Sequence, residues 1–554
     1  MVAMFSSHDP AFGQDALRLL RSAAPTWPLG IEEDRTALSL GSGMARMARD
    51  NAPALWDPAR RLLFWNWQRR PLHRDALDDL LQAGGDGSLP MPRLLRRLQT
   101  ALHRPLDPAP LLEAMELGEQ ALVLKHLLRF VRCPGDGLFW LAQCWDWLLR
   151  LGREDLPPSL LDAVAVEEDS APVLQGLRAQ WAVLYRPAEE ALAHVQKMDP
   201  ALWSPWREYL EAELYSRLGR QVEAVRTLGR VWRAMPWHPN IILKLSGWVQ
   251  PVENPEPADL VDACVLVYSW NKADLLEQTL RSVAASQLQG ARVVVLDNGS
   301  NDRTPEVVAR CSALFPPGRF TDVRLPVNVG APAARNWMLS LPEVRESRMA
   351  AFLDDDVILP SDWLVRLTAA MERHDADVVG CRIVSASPPP AVQSADYHLL
   401  EPGRGGRTFQ ECEDNVVVFE NSGNALDFGL YDYCRPAVSV SGCCHLLRLR
   451  GVEQVGDFDI RFSPTQFDDL ERDLRVNLAG LRVVYDGGLV VRHVQHSSLA
   501  KAQSLSSAAH IFGNRMKLEG KYRRAEIMEL AQKHTALLWD DLLARRAALV
   551  RGLP

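Results

Sequence analysis

At 554 residues the chain is too long for one hydrophobic core, and 47% apolar with 24% charged residues is an ordinary globular composition, so at least two domains are expected. The formal charge of -8 is spread along the chain and no basic block with interleaved aromatics occurs, which argues against nucleic acid as a partner. No stretch reaches the roughly 18 uninterrupted apolar residues of a transmembrane helix, and the N-terminal MVAMFSSHDPAFGQDALRLL lacks a basic segment followed by an apolar run, so a cytoplasmic location is expected.

Nine cysteines without a C-x-x-C pair read as reduced, mostly structural thiols. Asn298-Gly299-Ser300 fits a glycosylation acceptor, but the expected location offers it no secretory route.

Residues 1–250 read as helices separated by short Pro and Gly turns, with almost no period-2 alternation. This half holds 13 of the 17 tryptophans; Trp140, Trp145, Trp147 and Trp181 are expected to fill seams between helical hairpins rather than to stack on sugars. In EAELYSRLGRQVEAVRTLGRVWRAMP, residues 211–236, the spacing of Ala212, Tyr215, Leu218 and Gly219 before Ala224, Leu228, Val231 and Pro236 resembles one tetratricopeptide repeat. A stacked helical-repeat array follows from that resemblance. GSGMAR, residues 41–46, lacks a third glycine and a preceding strand, so it is expected to be a loop rather than a dinucleotide site.

Three prolines in PVENPEPAD mark a linker at 251–260. Strand and helix then alternate. ACVLVYSW (263–270) reads as a strand, KADLLEQTLRSVAAS (272–286) as an amphipathic helix and RVVVLDN (292–298) as a second strand. Thr304-Pro305 opens another helix with the hydroxyl as its cap, VRLP (323–326) is a short strand, APAARNWMLSL (331–341) is helical, and MAAFLDDDV ends a further strand in three aspartates. This alternation predicts an α/β domain with a mostly parallel sheet, in which ligands sit beyond the carboxyl ends of the strands.

Asp297 and Asp354, Asp355 and Asp356 fall at such ends. Adjacent carboxylates repel and are costly to shield from water, so they need solvent, donors or a cation. All-oxygen ligation suits Mg²⁺ or Mn²⁺, and a diphosphate held by that ion is the economical reading.

VYSWNK, VVVLDNGSNDRT, NVGAPAARN, FLDDDVILP and a later GDFDIRF…DDLERDLR…G, in this order, resemble the inverting family 2 glycosyltransferases with a GT-A fold over about 262–498. The resemblance implies a nucleoside-diphosphate-sugar donor, a glycan or protein acceptor, and a donor site drawing on Tyr268, Trp270, Asp297, Asn298, Arg335, Asp354 and Asp355. It places a metal ligand within Asp354–Asp356, leaving open which of the three, with His493 as a second, and the catalytic acidic pair at Asp468 and Asp469, with Asp469 as base. His496 is a weaker candidate. Within the triplet, Asp354 is expected toward the ribose or sugar and Asp356 on the metal, because side chains two apart on a strand share a face. Asn298 stands where many relatives carry a second aspartate; its carbonyl can accept from a base, which leaves uracil, thymine and guanine open.

Residues 386–436 read as a long irregular insertion, 438–449 as a return to strand, and 463–480 as a helix led by the acidic pair. The expected organisation is a helical region at 1–250, the linker, a GT-A domain at 261–498 and a helical extension at 499–554. The competing class is a helical-repeat adaptor carrying a non-catalytic transferase domain, against which the intact Asp triplet and Asp469 weigh.

Overall fold

The structure, a computed structural model, describes residues 10–50, 52–84, 89–164, 170–250, 261–403, 414–494 and 505–552. The expected linker at 251–260 and His496 lie outside them. The chain divides into two compact units, one within Met1–Gln250 together with Leu426–Leu430 and Leu542–Pro554, the other within Pro251–Ala425 and Tyr431–Asp541. Among the described residues no helix is long and apolar enough to cross a membrane.

The elements within Met1–Gln250 are all helical, from Pro10–Ala23 to Pro239–Val249. The repeat-like segment forms the helices Trp206–Arg217 and Gln221–Ala234, which pack on each other across a turn at Gly219, a position at φ +70° that favours glycine. Tryptophans fill the core. Trp140, Trp145 and Trp181 are buried, Trp65 meets Trp206 edge-on at 5.2 Å between ring centroids, and Trp67 stacks on Trp203 at 5.7 Å.

GSGMAR is helical, inside Asp34–Asp50, where a loop was expected. Gly41 lets that helix lie against Leu63, whose side chain would stand 2.7 Å from an added Cβ. Close helix packing, not turn formation, accounts for this glycine.

Residues 426–430 belong to this helical unit. Lys244 Nζ donates to Gly429 O at 2.6 Å, Asn240 Nδ2 to Leu430 O at 3.0 Å and the Tyr209 hydroxyl to Phe428 O at 3.2 Å.

The second unit is mixed α/β around a largely parallel central sheet. Its strands are β1 (Ala263–Ser269), β2 (Arg292–Asp297), β3 (Phe320–Arg324), β4 (Met349–Leu353), β5 (Val357–Ile358), β6 (Val378–Ser385), β7 (Val392–Ser394), β8 (Tyr397–Leu400), β9 (Val417–Glu420), β10 (Cys434–Pro436), β11 (Cys444–Arg448) and β12 (Val483–His493). The order β10-β12-β6-β11-β4-β1-β2-β3 is parallel through β4-β1-β2-β3 and between β6 and β12, while β11 runs antiparallel to both its neighbours.

Near-continuous apolar runs such as Cys264–Val267 and Val293–Leu296 are fully buried, as strands covered on both faces must be. Each such Val or Leu contributes roughly 1.5–3 kcal/mol of burial.

Two local expectations differ. The Thr304–Cys311 helix takes its N-terminal acceptor from Asp302, whose Oδ1 receives the Thr304 N–H at 2.9 Å; Thr304 itself is already helical, so its hydroxyl does not cap. The segment 386–436 carries β7 on the edge of β6, the β8–β9 pair and β10 on β12; three- and four-residue strands are too short to show alternation in sequence.

Candidate active site

Parallel register brings three strand ends to one edge. Ser269 is level with Asp297 and Val267 with Leu353, so Tyr268, Trp270, Asp297, Asn298 and the Asp triplet emerge together from β1, β2 and β4. Tyr268 is half-buried and Trp270 exposed.

Asp297 and Asn298 are tied into their own loops. Asp297 Oδ1 accepts from Ser300 N at 2.9 Å, an Asx-type turn, and its Oδ2 lies 3.4 Å from Arg324 Nε. Asn298 Oδ1 accepts from Val329 N at 3.0 Å and its Nδ2 donates to Asn328 Oδ1 at 3.0 Å, so the carbonyl expected to read a base already holds the Val329 N–H.

The triplet is divided by its neighbours. Lys272 Nζ, just after β1, stands 2.9 Å from Asp355 Oδ1 and 3.0 Å from Asp356 Oδ2. Asp354 stays half-buried, anchored through its backbone N–H on Cys443 O at 2.9 Å. Burial and the charge of Asp356 push the Asp354 carboxyl up to about 6 against His493, Arg335 and Lys272. Burial also raises Asp355, more than Lys272 lowers it. For Asp356 burial is outweighed by His493 and Lys272, which hold it below the ordinary carboxylate range.

His493 reaches this point because β12 pairs with β5, placing His493 opposite Val357, while Val494 N donates to Asp356 O at 2.8 Å. Its Nε2 lies 3.0 Å from Asp356 Oδ1, a buried oxygen. Its Nδ1 faces Gln393 Oε1 at 2.7 Å, which fixes the ring and turns Nε2 to the carboxylates. Single donor atoms of Asp354, Cys443 and His493 also lie within 4.8 Å of one another. Asp356 Oδ1, the oriented His493 Nε2 and the neighbouring Asp354 carboxylate together offer the kind of donor set that a divalent cation takes.

Arg335, in the Ala331–Ser340 helix, joins this cluster to the second acidic pair. Buried to 4% exposure, it donates to Asp468 Oδ2 at 2.5 Å, approaches Asp354 Oδ1 at 4.0 Å and lies over the Tyr268 ring at 5.4 Å. Asp468 and Asp469 open the Asp468–Leu478 helix, whose dipole favours ionised carboxylates there. Burial and the adjacent Asp469 charge nonetheless raise Asp468 against the pull of Arg335.

Asp469 is half-buried and receives two backbone N–H groups, Gly442 at 2.9 Å on Oδ2 and Leu470 at 2.8 Å on Oδ1. A Cβ on residue 442 would stand 2.9 Å from Asp469 Oδ2, so a side chain there would displace the carboxylate. Each oxygen keeps a further lone pair beyond these bonds.

The structure thus gathers Tyr268, Arg335, Asp354–Asp356, His493 and Asp468 through direct contacts. Lys272 and Cys443 were not anticipated. Lys272 closes the quoted VYSWNK, but nothing in the sequence links it to carboxylates 83 and 84 residues away.

Residues 264–432 match the family described as Glycosyl transferase family 2. Among curated proteins the chain is similar to the O-antigen biosynthesis protein RfbC of Myxococcus xanthus, 26% identical over 238 residues, covering 43% of this chain and 17% of that one. It is also similar to the succinoglycan biosynthesis protein ExoO of Rhizobium meliloti, 33% identical over 162 residues, 29% of this chain and 40% of that one. The chain therefore spans less than half the length of either relative. Of solved structures, a mannosyltransferase from Pyrobaculum calidifontis in complex with GDP-Man and Mn²⁺ aligns at a TM-score of 0.34 and 18% identity, over 61% of this chain and 86% of that one. The residues that match the family model run from β1 into the segment before β10.

Proposed function

We propose that the α/β unit is an inverting, metal-dependent glycosyltransferase of GT-A type that moves a sugar from a nucleoside diphosphate to an acceptor hydroxyl. One observation carries the reading: two acidic groups with different tasks, Asp354–Asp356 at a strand end and Asp468–Asp469 at a helix start, meet across Arg335, 4.0 Å from Asp354 and 2.5 Å from Asp468.

Asp356 and His493 would hold Mn²⁺ or Mg²⁺. When bound, such an ion stabilises the charge of a departing diphosphate, so the leaving group needs no protein acid. Asp354, the least shielded of the three, is placed to accept from sugar or ribose hydroxyls, and Asp355 holds Lys272 in position. Tyr268 and the exposed Trp270 offer ring faces to the nucleoside beside Asp297 and Asn298.

Asp469 takes the acceptor proton as the hydroxyl attacks, and a single displacement inverts the anomeric carbon. Asp468 keeps Arg335 aligned between the two acidic groups. This division of roles separates the site from that of a glycosidase, which needs an acid at the leaving group.

The names of the two curated relatives, in O-antigen and succinoglycan biosynthesis, favour a glycan over a protein as acceptor. The N-terminal helices, tetratricopeptide-like at 211–236, would bind acceptor or partner, with the protein acting in the cytoplasm. A screen of nucleotide sugars with Mn²⁺ and Mg²⁺, following thermal stabilisation and slow donor hydrolysis, tests the reading. A metal-dependent hit fixes base and sugar together; no stabilisation and no hydrolysis by any donor would overturn it.

A further inference from the structure

The acidic pair stands at the end of a turn that the sequence alone does not stabilise. Gln466 and Phe467, immediately before Asp468, have φ of +82° and +70°, a region that non-glycine residues occupy only when surroundings hold them there. The hold comes from the Leu505–Lys521 helix, beyond the matched family domain. Asn514, 2% exposed, directs its Nδ2 at three carbonyls of this turn, Phe462 and Thr465 at 2.8 Å and Gln466 at 3.3 Å.

Lys517 fixes the amide's orientation. Its ammonium only donates, and Nζ lies 2.9 Å from Asn514 Oδ1 and 2.6 Å from Arg461 O, so the oxygen faces Lys517 and the nitrogen faces the turn. One turn further on, Lys521 reaches Asp459 Oδ2 at 2.6 Å and Glu471 Oε1 at 2.5 Å. From the other side, Pro464 O accepts from Ala331 N at 2.8 Å, at the start of the helix that carries Arg335.

We infer that Asn514, oriented by Lys517, is a positioning residue that sets Asp469 for proton abstraction, making the C-terminal helix part of the transfer machinery. The inference rests on the proposed role of Asp469. It follows from geometry: one amide nitrogen donates to the carbonyls of Phe462, Thr465 and Gln466 across the turn, and Asp469 follows Phe467 by two.

The test compares Asn514→Ala and the nearly isosteric Asn514→Asp with the wild type, alone and in an Asp469→Asn background, using the full chain, Mn²⁺ and the donor found by the screen. Misplacing a catalytic group by about an ångström costs about 10²-fold. Both variants are expected to lose about 10- to 100-fold in kcat while calorimetric donor affinity with Mn²⁺ stays within about threefold, and to add less than about threefold when Asp469 is already Asn. Lys517→Ala, at an exposed position, should show the same kcat-against-affinity split at smaller size, and decides the matter if the Asn514 variants do not fold.

Wild-type kcat in the Asn514 variants, loss of donor affinity equal to the loss of turnover, or full additivity with Asp469→Asn would overturn the inference, as would a wild-type Lys517→Ala where the Asn514 variants are unfolded. If Asp469→Asn alone is fully active, the assignment of the base falls and the positioning role with it. If Asp469→Asn is inactive and Asn514→Ala is not, only the positioning role is lost.

Discussion

Asp468→Asn and Asp469→Asn, neighbours of equal size, should fail in different ways. Asp468 is 4% exposed at its side chain, Arg335 5%, and they meet at 2.5 Å, so the substitution leaves a buried guanidinium without its main counter-charge. Breaking a buried pair from one side costs about 3–5 kcal/mol. The Asn oxygen can still accept from Nη1, and Asp354 at 4.0 Å and the Tyr268 ring at 5.4 Å supply partial compensation, so the lower end, about 3 kcal/mol, is expected. For a unit of this size that lowers its unfolding midpoint by about 5 °C.

Asp469→Asn removes no such pair. Its oxygens serve the N–H groups of Gly442 and Leu470, and an amide must turn an NH₂ toward one of them, which costs about 1–2 kcal/mol. Its turnover, however, should fall by about 10² to 10⁴ with donor affinity unchanged. Thermal melts and steady-state kinetics on both variants separate the cases. Wild-type stability in Asp468→Asn, or a larger stability loss in Asp469→Asn, would refute the reasoning from Arg335.

Excess chelator should abolish transfer and Mn²⁺ restore it, whereas Asp356→Ala should stay inactive at any Mn²⁺ concentration while remaining folded; activity of either the chelated or the substituted protein counts against the cation site. Burial pushes the Asp473 carboxyl up to about 7 despite donation from Ser439, with Arg472 lowering it and Asp469 raising it. A carboxyl raised above its unfolded value of about 3.9 binds its proton more tightly in the folded state, so stability is lost as pH rises from about 4 to 7. Asp473→Asn, which can still accept from Ser439, should therefore be more stable than wild type by about 1–3 kcal/mol at pH 8 and lose that advantage by pH 4, as read by denaturant titration. Lys244, 1% exposed on Glu213 Oε2 at 2.7 Å and Gly429 O at 2.6 Å, should cost about 3 kcal/mol when replaced by Met, and a chain begun at residue 255 should be cleaved by protease near 426–430, which loses Tyr209, Asn240 and Lys244 as partners.

Periodicity revealed the elements whose faces are chemically uniform. β1, β2 and β4 announce themselves because strands buried on both faces must be apolar throughout, and the Ala273–Ala284 helix because one face must be. Elements formed by long-range pairing left no such trace. β5 is two residues, β7 and β10 three, and each exists only because a longer strand stands beside it. The assignment of Leu426–Leu430 to the helical unit is of the same kind: its carbonyls meet donors about 190 residues earlier, and a carbonyl has no sequence signature.

The site follows the same division. Asp354, Asp355 and Asp356 were visible as three charges at the end of an apolar strand, but a run of identical residues does not say how its members differ. That difference comes from partners remote in sequence: Lys272 takes Asp355 and Asp356, His493 takes the second oxygen of Asp356, and Asp354 is left partly exposed with Arg335 4.0 Å away. Three adjacent carboxylates can sit at a strand end because two are neutralised by the protein itself. The same partition separates the two outer carboxylates electrostatically: Asp356 is held below its ordinary pKa by His493 and Lys272, while burial and the charge of Asp356 push Asp354 up to about 6. Charge count in the sequence could indicate that a cation was needed; only the fold could indicate that Lys272, 2.9 Å from Asp355 and 3.0 Å from Asp356, supplies one.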